Sequence, residues 1–254
     1  MDDPIEGLGT GMDKPMVSTG SRKRSESYTN VAVDVIRDRT LDLTLEPGKR
    51  IDDKLLMKEF GLSKIPIREA LNRLATEGLI DLHPNRGAYV QPLDLDDISQ
   101  FFEAYITSER MIGFLCNTHD PDLVSDLEKI QVNLSVAQAE RNFFLICKLN
   151  ADFHMRLAQA TKNIYIRDFC AKLHGLARRI SLYVFLHELD SNTNADKFTL
   201  ANKSAHDEII RKVRNRDNDE MVDSLSRHAL LFRDRIVQVI SQTRCHEFPV
   251  RPSV

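Results

Sequence analysis

Three histidines in the second half of the chain have the side-chain chemistry and the positions of a metal site. His154, His206 and His228 each lie on the inward, apolar stripe of a predicted helix. Three imidazoles directed into one helical bundle need partners, and a divalent metal ion can supply them. Asn150 lies one helical turn before His154, so these two side chains project from the same helix face. Asp152 points in a different direction.

Other histidines of the chain have a simpler interpretation. A lone helical histidine is usually a polar side chain that hydrogen-bonds to its neighbours. We expect this of His119, His174 and His246, whose sequence context does not single them out.

A second group of residues has the chemistry of a nucleic-acid contact. In the stretch GLSKIPIREALNRLATEGLI, residues 61–80, Pro66 fixes the first turn of a helix, and Ser63 is placed to cap it. Apolar residues recur at the spacing of one helical face, which leaves Lys64, Arg68 and Asn72 on another. Taken singly, these could be ordinary surface charges. Their position at a helix start also suits contact with phosphates and bases.

The elements around this helix indicate how it is held. A helix containing Tyr28 to Ile36 precedes it, and a second helix runs from about Asp52 to Gly61. The stretch LIDLHPNRGAYVQPL then changes to strand character, with Arg86 at the tip of a short hairpin. Three helices and a hairpin in this order predict a winged helix-turn-helix.

The histidines lie in a region with a helical pattern throughout. We predict helices at roughly 95–114, 121–139, 142–161, 163–189, 197–214 and 219–241. The predicted fold is therefore mainly α, with an N-terminal winged helix-turn-helix followed by an all-helical bundle of about six helices. The expected domains are a flexible arm (1–25), the winged helix-turn-helix (26–92), the bundle (93–243) and a tail (244–254).

Composition narrows the class of protein. The formal net charge is −3, so overall charge alone would not indicate DNA binding. The sequence has no apolar run long enough to span a membrane and no secretion signal, and we expect a soluble, cytoplasmic protein. Four widely spaced cysteines, Cys116, Cys147, Cys170 and Cys245, argue against a disulfide framework and a thiolate zinc site.

The stretch PGKRIDDKLLMKEFGLSKIPIREALNRLATEGLIDLHPNRGAYV resembles the DNA-binding domain of the GntR family of bacterial transcriptional regulators. The resemblance lies in its Pro-Gly turn, the Gly-x-Ser-x-x-Pro-x-Arg-Glu-Ala-Leu run, Glu-Gly-Leu and a wing that contains glycine. The helical remainder is similar to the FCD ligand-binding domain through NADFH and the two later histidines. Together the two resemblances cover about residues 28–241.

The GntR resemblance implies which residues contact DNA. The helix that begins near Ser63 would enter the major groove, and the hairpin tip would lie along the minor groove. The implied contacts are Lys54, Ser63, Lys64, Arg68, Arg86 and Gly87. Lys64 stands where the family usually has arginine, and Ile65 where it usually has threonine, so the DNA sequence that is read is expected to differ from that of typical members. Glu69 is better interpreted as a structural partner of a basic neighbour.

The FCD resemblance implies a metal site composed of Asn150, His154, His206 and His228. We expect zinc, with nickel or manganese as alternatives. Because Asn150 replaces the usual aspartate, the +2 charge of the metal would remain uncancelled and would attract an anionic ligand. Tyr105 stands where many FCD domains have an arginine that binds the effector. Arg178 and Arg179 are candidates to replace it, although they could equally be ordinary surface arginines.

These features predict a DNA-binding transcriptional regulator, specifically a repressor, and not an enzyme. Its partners would be double-stranded operator DNA, a small carboxylate- or phosphate-bearing effector and a second copy of the chain. A homodimer is expected because one short recognition helix offers few contacts alone. The alternatives are a metal-dependent enzyme, since histidine-bound metals also activate water, and a metabolite sensor that acts through protein partners.

Overall fold

Three helices and a two-stranded hairpin form the N-terminal part of the described chain. The computed structural model describes residues 19–93, 98–188 and 195–242. Its first elements are α1 (Thr19–Leu41), α2 (Asp53–Phe60), α3 (Lys64–Thr76), β1 (Ile80–His83) and β2 (Gly87–Val90). The strands pair antiparallel, with Ile80 opposite Val90 and His83 opposite Gly87. This arrangement is the predicted winged helix-turn-helix.

Local chemistry defines the two helices of the helix-turn-helix. The Asp52 carboxylate accepts hydrogen bonds from the amides of Lys54 and Leu55, which satisfies two free donors at the start of α2. Gly61 ends α2 in the left-handed conformation, with φ of 63°. Ser63 occupies the N-cap position of α3, but its side chain makes no capping hydrogen bond. Ser63 therefore occupies the predicted N-cap position, but its side chain does not cap the helix.

The buried face of α3 packs against α1. Ile67, Ala70 and Leu74 of α3 lie in one apolar cluster with Ala32 and Ile36 of α1. Glu69 pairs with Arg73 across 2.9 Å, as predicted for a structural carboxylate. The opposite face of α3 remains exposed.

Helix α1 extends into the segment that we predicted as an N-terminal arm. Because α1 begins at Thr19, residues 19–25 of that segment are helical. Residues 1–18 and the predicted tail 244–254 lie outside the described residues.

Six helices follow within the described ranges. They are α4 (Ile98–Leu115), α5 (Leu123–Ala139), α6 (Phe143–Ala160), α7 (Ile164–Glu188), α8 (Ala195–Asn215) and α9 (Asn218–Gln242). Helix α4 packs along α9, α6 packs between α5 and α7, and α8 packs against α5 and α9. The predicted helix boundaries differ from these by a few residues at most.

A glycine allows a close approach between α4 and α9. A Cβ at Gly113 of α4 would lie 2.8 Å from the Val222 amide nitrogen of α9, so the two backbones are in contact there. Cys116, Cys147 and Cys170 are buried free thiols. None of the described helices is long and apolar enough to cross a membrane.

Candidate metal centre and DNA-binding surface

Helices α6, α8 and α9 bring the three predicted histidines together. His154, His206 and His228 are buried, and one ring nitrogen from each lies within 4.8 Å of the other two. The His154 and His228 rings stack with centroids 5.0 Å apart, and the His206 ring lies 4.7 Å from that of His228. Residues separated by up to 74 positions in sequence thus converge at one point inside the bundle.

Three ring nitrogens in this cluster have no hydrogen-bond partner among the described residues. They are Nε2 of His154, Nε2 of His206 and Nδ1 of His228. Buried polar atoms are almost always paired, because leaving one unpaired costs free energy. Three unpaired nitrogens within reach of one another are the donor set that a divalent metal ion would satisfy.

Hydrogen-bond acceptors beside the Nδ1 atoms of two rings determine which ring nitrogen carries the lone pair that faces the cluster. His154 Nδ1 lies 2.7 Å from Oε2 of Glu109, and His206 Nδ1 lies 3.1 Å from Oε1 of Gln131. The Gln131 amide nitrogen donates to the Lys203 carbonyl at 3.0 Å, which fixes the orientation of the amide. Because both oxygens act as acceptors, the imidazole proton sits on Nδ1, and the Nε2 lone pair points into the cluster.

Burial keeps the imidazoles of His206 and His228 neutral. It lowers the pKa of His228 to about 3, helped by the neighbouring His154. Burial also lowers the pKa of His206 well below its ordinary value, and that of His174 to a smaller extent. Neutral imidazole is the form that binds metal ions, so a metal bound here would need no proton release from His206 or His228 at neutral pH.

Glu109 is a site residue that sequence reasoning missed. It is fully buried on α4, and its second oxygen, Oε1, lies 2.9 Å from Nε2 of His174. Burial alone raises the pKa of Glu109, but His154 and His174 lower it by more, so the carboxyl is ionised. This negative charge corrects the expectation that a bound metal would keep its full +2 charge.

His174 lies beside a polar partner, as expected of an ordinary helical histidine, but that partner is Glu109, which also contacts the cluster. It is buried on α7 against Glu109, and its ring lies 5.0 Å from that of His154. A sequence signal for it existed, since His174 lies between Cys170 and Ala177 on the buried stripe of α7. The criterion that selected His154 would also have selected His174.

A narrow cavity opens beside the imidazoles. Its lining includes Asn150, Tyr105, Arg178 and His228, together with several apolar side chains. The Nε and Nη2 atoms of Arg178 have no hydrogen-bond partner within the described ranges, and its guanidinium lies 4.8 Å from the centre of the Phe144 ring. Burial lowers the pKa of Arg178, but a guanidinium stays protonated in proteins. The cavity therefore contains a positive charge that makes no ion pair with a described carboxylate, although Asp38, Asp152 and Asp42 act on it from a distance.

Asn150 and Arg179 differ in how well they match their predicted roles. Asn150 lines the cavity, where its side-chain oxygen accepts a hydrogen bond from Asn202 at 2.9 Å. A second lone pair of that oxygen remains available to a ligand. Arg179 does not line the cavity; its guanidinium donates to the backbone carbonyl of Gln91. This placement gives no support to the prediction that Arg179 binds an effector.

The predicted DNA contacts lie on the surface of the winged helix-turn-helix. Exposed residues among them are Lys54, Ser63, Lys64, Arg68 and Arg86. The four basic ones form no ion pair with any described residue. By contrast, the arginines on the packed side of this domain are paired: Arg37 with Glu77, Arg39 with Glu59 and Arg73 with Glu69. Unpaired cations at a helix start and a hairpin tip are free to contact phosphates.

Gly87 has a structural reason to be glycine. Its φ of 100° is a conformation that other residues rarely adopt, and it begins β2 directly after the turn that carries Arg86. It therefore shapes the wing tip, and any contact that it makes with DNA would come from its backbone.

A winged helix-turn-helix joined to a helical bundle is the arrangement of a DNA-binding regulator. Residues 28–90 match the description "Bacterial regulatory proteins, gntR family", and residues 109–231 match the FCD domain. The chain belongs to the GntR family of transcriptional regulators and carries an FCD domain.

Individual relatives agree with this assignment. The HTH-type transcriptional repressor RspR of Escherichia coli K12 is 22% identical over 211 residues, covering 81% of this chain and 87% of that protein. The gluconate operon transcriptional repressor of Bacillus licheniformis is 26% identical over 203 residues, covering 80% and 82%. The E. coli McbR/YncC structure superposes with a TM-score of 0.70 at 17% identity, covering 85% and 98%. The family assignment confirms the prediction of a regulator rather than an enzyme.

Proposed function

We propose that this chain is a transcriptional repressor that binds operator DNA as a homodimer and releases it when a small anion binds beside the histidine cluster. The observation that supports this most directly is the set of three unpaired imidazole nitrogens next to a buried, unpaired arginine. Both features favour a ligand with negative charge and oxygen donors.

The residues present fit a divalent metal ion. His154, His206 and His228 would hold it, with the Asn150 oxygen as a further donor, and zinc, nickel and manganese are the candidates. When bound, the metal would supply a Lewis-acidic centre that attracts anions. Glu109 and Gln131 would orient the rings of His154 and His206 from behind.

Arg178 indicates the chemical class of the proposed effector. A guanidinium presents donors that match a carboxylate or a phosphate, and its Nε and Nη2 atoms here have no partner among the described residues. Tyr105 closes the cavity from α4, where it packs on the ring of His174. We therefore infer a small carboxylate or phosphate ester as the effector.

The metal is tested with full-length protein stripped by a chelator. Adding zinc, nickel or manganese should raise the melting temperature, because an ion held by three helices stabilises the folded state. His206→Ala should abolish this rise. The exposed His119 provides a matched control, and His119→Ala should respond like the wild type. A wild-type melting temperature that responds to none of the three ions would refute the metal site.

DNA binding is tested with duplexes selected from a random pool by the wild-type protein. Arg68→Ala should weaken binding about 5- to 150-fold per half-site, because one arginine–base contact contributes roughly 1–3 kcal/mol. Arg167→Ala removes an exposed arginine of α7 and should bind like the wild type. Equal affinities of Arg68→Ala and the wild type would contradict the assigned DNA surface. A reporter gene placed behind the selected site should be expressed less when the protein is present.

A further inference from the structure

Ile65 is the exception to the burial pattern of α3. The other large apolar residues of this helix, Ile67, Leu71 and Leu74, are at most 2% exposed, and Pro66 is also buried. Ile65 is 75% exposed. Exposing a whole isoleucine side chain to water is unfavourable, and here it occurs between two unpaired cations, Lys64 and Arg68.

Ile65 belongs to one exposed stripe of α3 together with Arg68 and Asn72. The spacing of three and then four residues puts these side chains on one helix face, and all three are exposed. This stripe faces away from the cluster that joins α3 to α1. It is therefore the part of α3 that a helix lying in the major groove would present to base edges.

Each residue type on the stripe matches a different feature of the major groove. Arginine pairs with guanine O6 and N7, and asparagine pairs with adenine N6 and N7. An aliphatic side chain forms no hydrogen bonds, but it can cover the 5-methyl group of thymine, the one apolar feature of the groove. Covering that methyl group would also remove the exposed isoleucine from water.

We propose that Ile65 reads the 5-methyl group of a thymine in the operator. This inference rests on the proposed DNA-binding function and deepens it. The helical rise separates Ile65 and Arg68 by roughly 4.5 Å along α3, and base pairs are spaced by about 3.4 Å. The thymine therefore lies one or two base pairs from the guanine that Arg68 contacts.

The test removes one methyl group from DNA and compares two proteins. Full-length wild type selects duplexes from a random pool, and each thymine of the selected half-site is then replaced by deoxyuridine, which lacks only the 5-methyl group. At one thymine per half-site, uracil should weaken wild-type binding about four-fold, which corresponds to the roughly 0.8 kcal/mol gained by burying one such carbon. Uracil at the other thymines serves as the control.

Two variants complete the comparison. Ile65→Ala should bind the thymine and uracil duplexes equally, whereas Ile65→Val keeps an apolar branched side chain and should retain most of the preference. Unchanged circular dichroism spectra show that both variants are folded. The inference is overturned if the wild type binds its selected site but no thymine is sensitive to uracil, or if Ile65→Ala is equally sensitive. Failure of the wild type to select any DNA would instead overturn the proposed DNA-binding function, and the inference with it.

Discussion

At the scale of single residues, the histidine cluster depends on partners that do not themselves face the cluster. Glu109 and Gln131 each hold the Nδ1 atom of one imidazole and leave its Nε2 atom free. An imidazole that rotates freely loses its alignment with the other two, so we expect these partners to raise the affinity for a metal ion held by the three rings without touching it. Glu109 additionally supplies the negative charge that Asn150 lacks.

Glu109→Gln tests this role. The amide keeps the shape of the carboxylate and can still accept from His154 Nδ1, but it removes the charge. We expect metal affinity to fall about 10- to 100-fold, the usual effect of changing such a supporting residue. Competition with a chromophoric chelator measures this affinity. Glu128→Gln, on the exposed surface of α5, should leave it unchanged, and an unchanged affinity in Glu109→Gln would show that the carboxylate has only a packing role.

Arg178 supports a second prediction at this scale. Arg178→Met keeps the apolar part of the side chain but removes the charge, so stabilisation of the metal-loaded protein by anions should be lost. Acetate and inorganic phosphate serve as the simplest carboxylate and phosphate probes in a melting-temperature titration. Affinity for the selected DNA duplex should remain within about two-fold of wild type, because Arg178 is buried in the bundle. A variant that is stabilised by these anions as strongly as the wild type would place the anion site elsewhere.

At the scale of the elements, Gly113 and Gly175 are helical glycines with different surroundings, so the same substitution to alanine can be compared at the two positions. In Gly113→Ala, the new methyl group would meet the α9 backbone at Val222, and backbone cannot easily move aside. We expect this change to lower the free energy of unfolding by about 1–3 kcal/mol. At Gly175 of α7, the nearest atom is the Leu41 side chain at 3.8 Å, an ordinary contact. There, alanine should stabilise the protein by up to about 1 kcal/mol through its better helix propensity. Denaturant titration of both variants checks the opposite signs; a loss of stability in both would contradict the difference in packing.

At the scale of the whole molecule, two neighbouring arginines of α7 connect its two parts. Arg178 lines the cavity, and Arg179 binds the carbonyl of Gln91, which directly follows β2 of the wing. Helix α7 also packs against α1 of the DNA-binding part. Because Arg178 and Arg179 are neighbours, a ligand that shifts Arg178 would also affect the segment that positions the wing. A ligand changes DNA affinity only if it binds the two arrangements unequally, and this pair offers a physical path for such a difference.

Arg179→Met should weaken this coupling without removing either binding event. In the wild type, we expect an effective anion to lower operator affinity about 5- to 150-fold, the usual range of allosteric coupling. In Arg179→Met, the ratio of DNA dissociation constants with and without the anion should move towards one, while the metal and the anion still bind. The same ratio in both proteins would show that the signal takes another route.

Much of this molecule follows from local patterns in its sequence. The positions of α2, α3 and the hairpin are set by residues close together in the chain, such as the Asp52 cap, the Gly61 terminus and the alternation that leads into β2. The inward direction of His154, His206 and His228 follows from helical periodicity for the same reason. Periodicity states which face of a helix is buried, and it does so without knowledge of the neighbouring helices.

Only the tertiary structure decided which buried groups meet. Glu109 reaches His154 across 45 positions, Gln131 reaches His206 across 75, and Arg179 reaches Gln91 across 88. These pairs depend on the rotation and offset of helices packed side by side, which a pattern along one helix does not specify. For this reason the two adjacent arginines were given one role. Neighbours in sequence on α7 point in different directions, so Arg178 faces the cavity while Arg179 faces the connection to the wing.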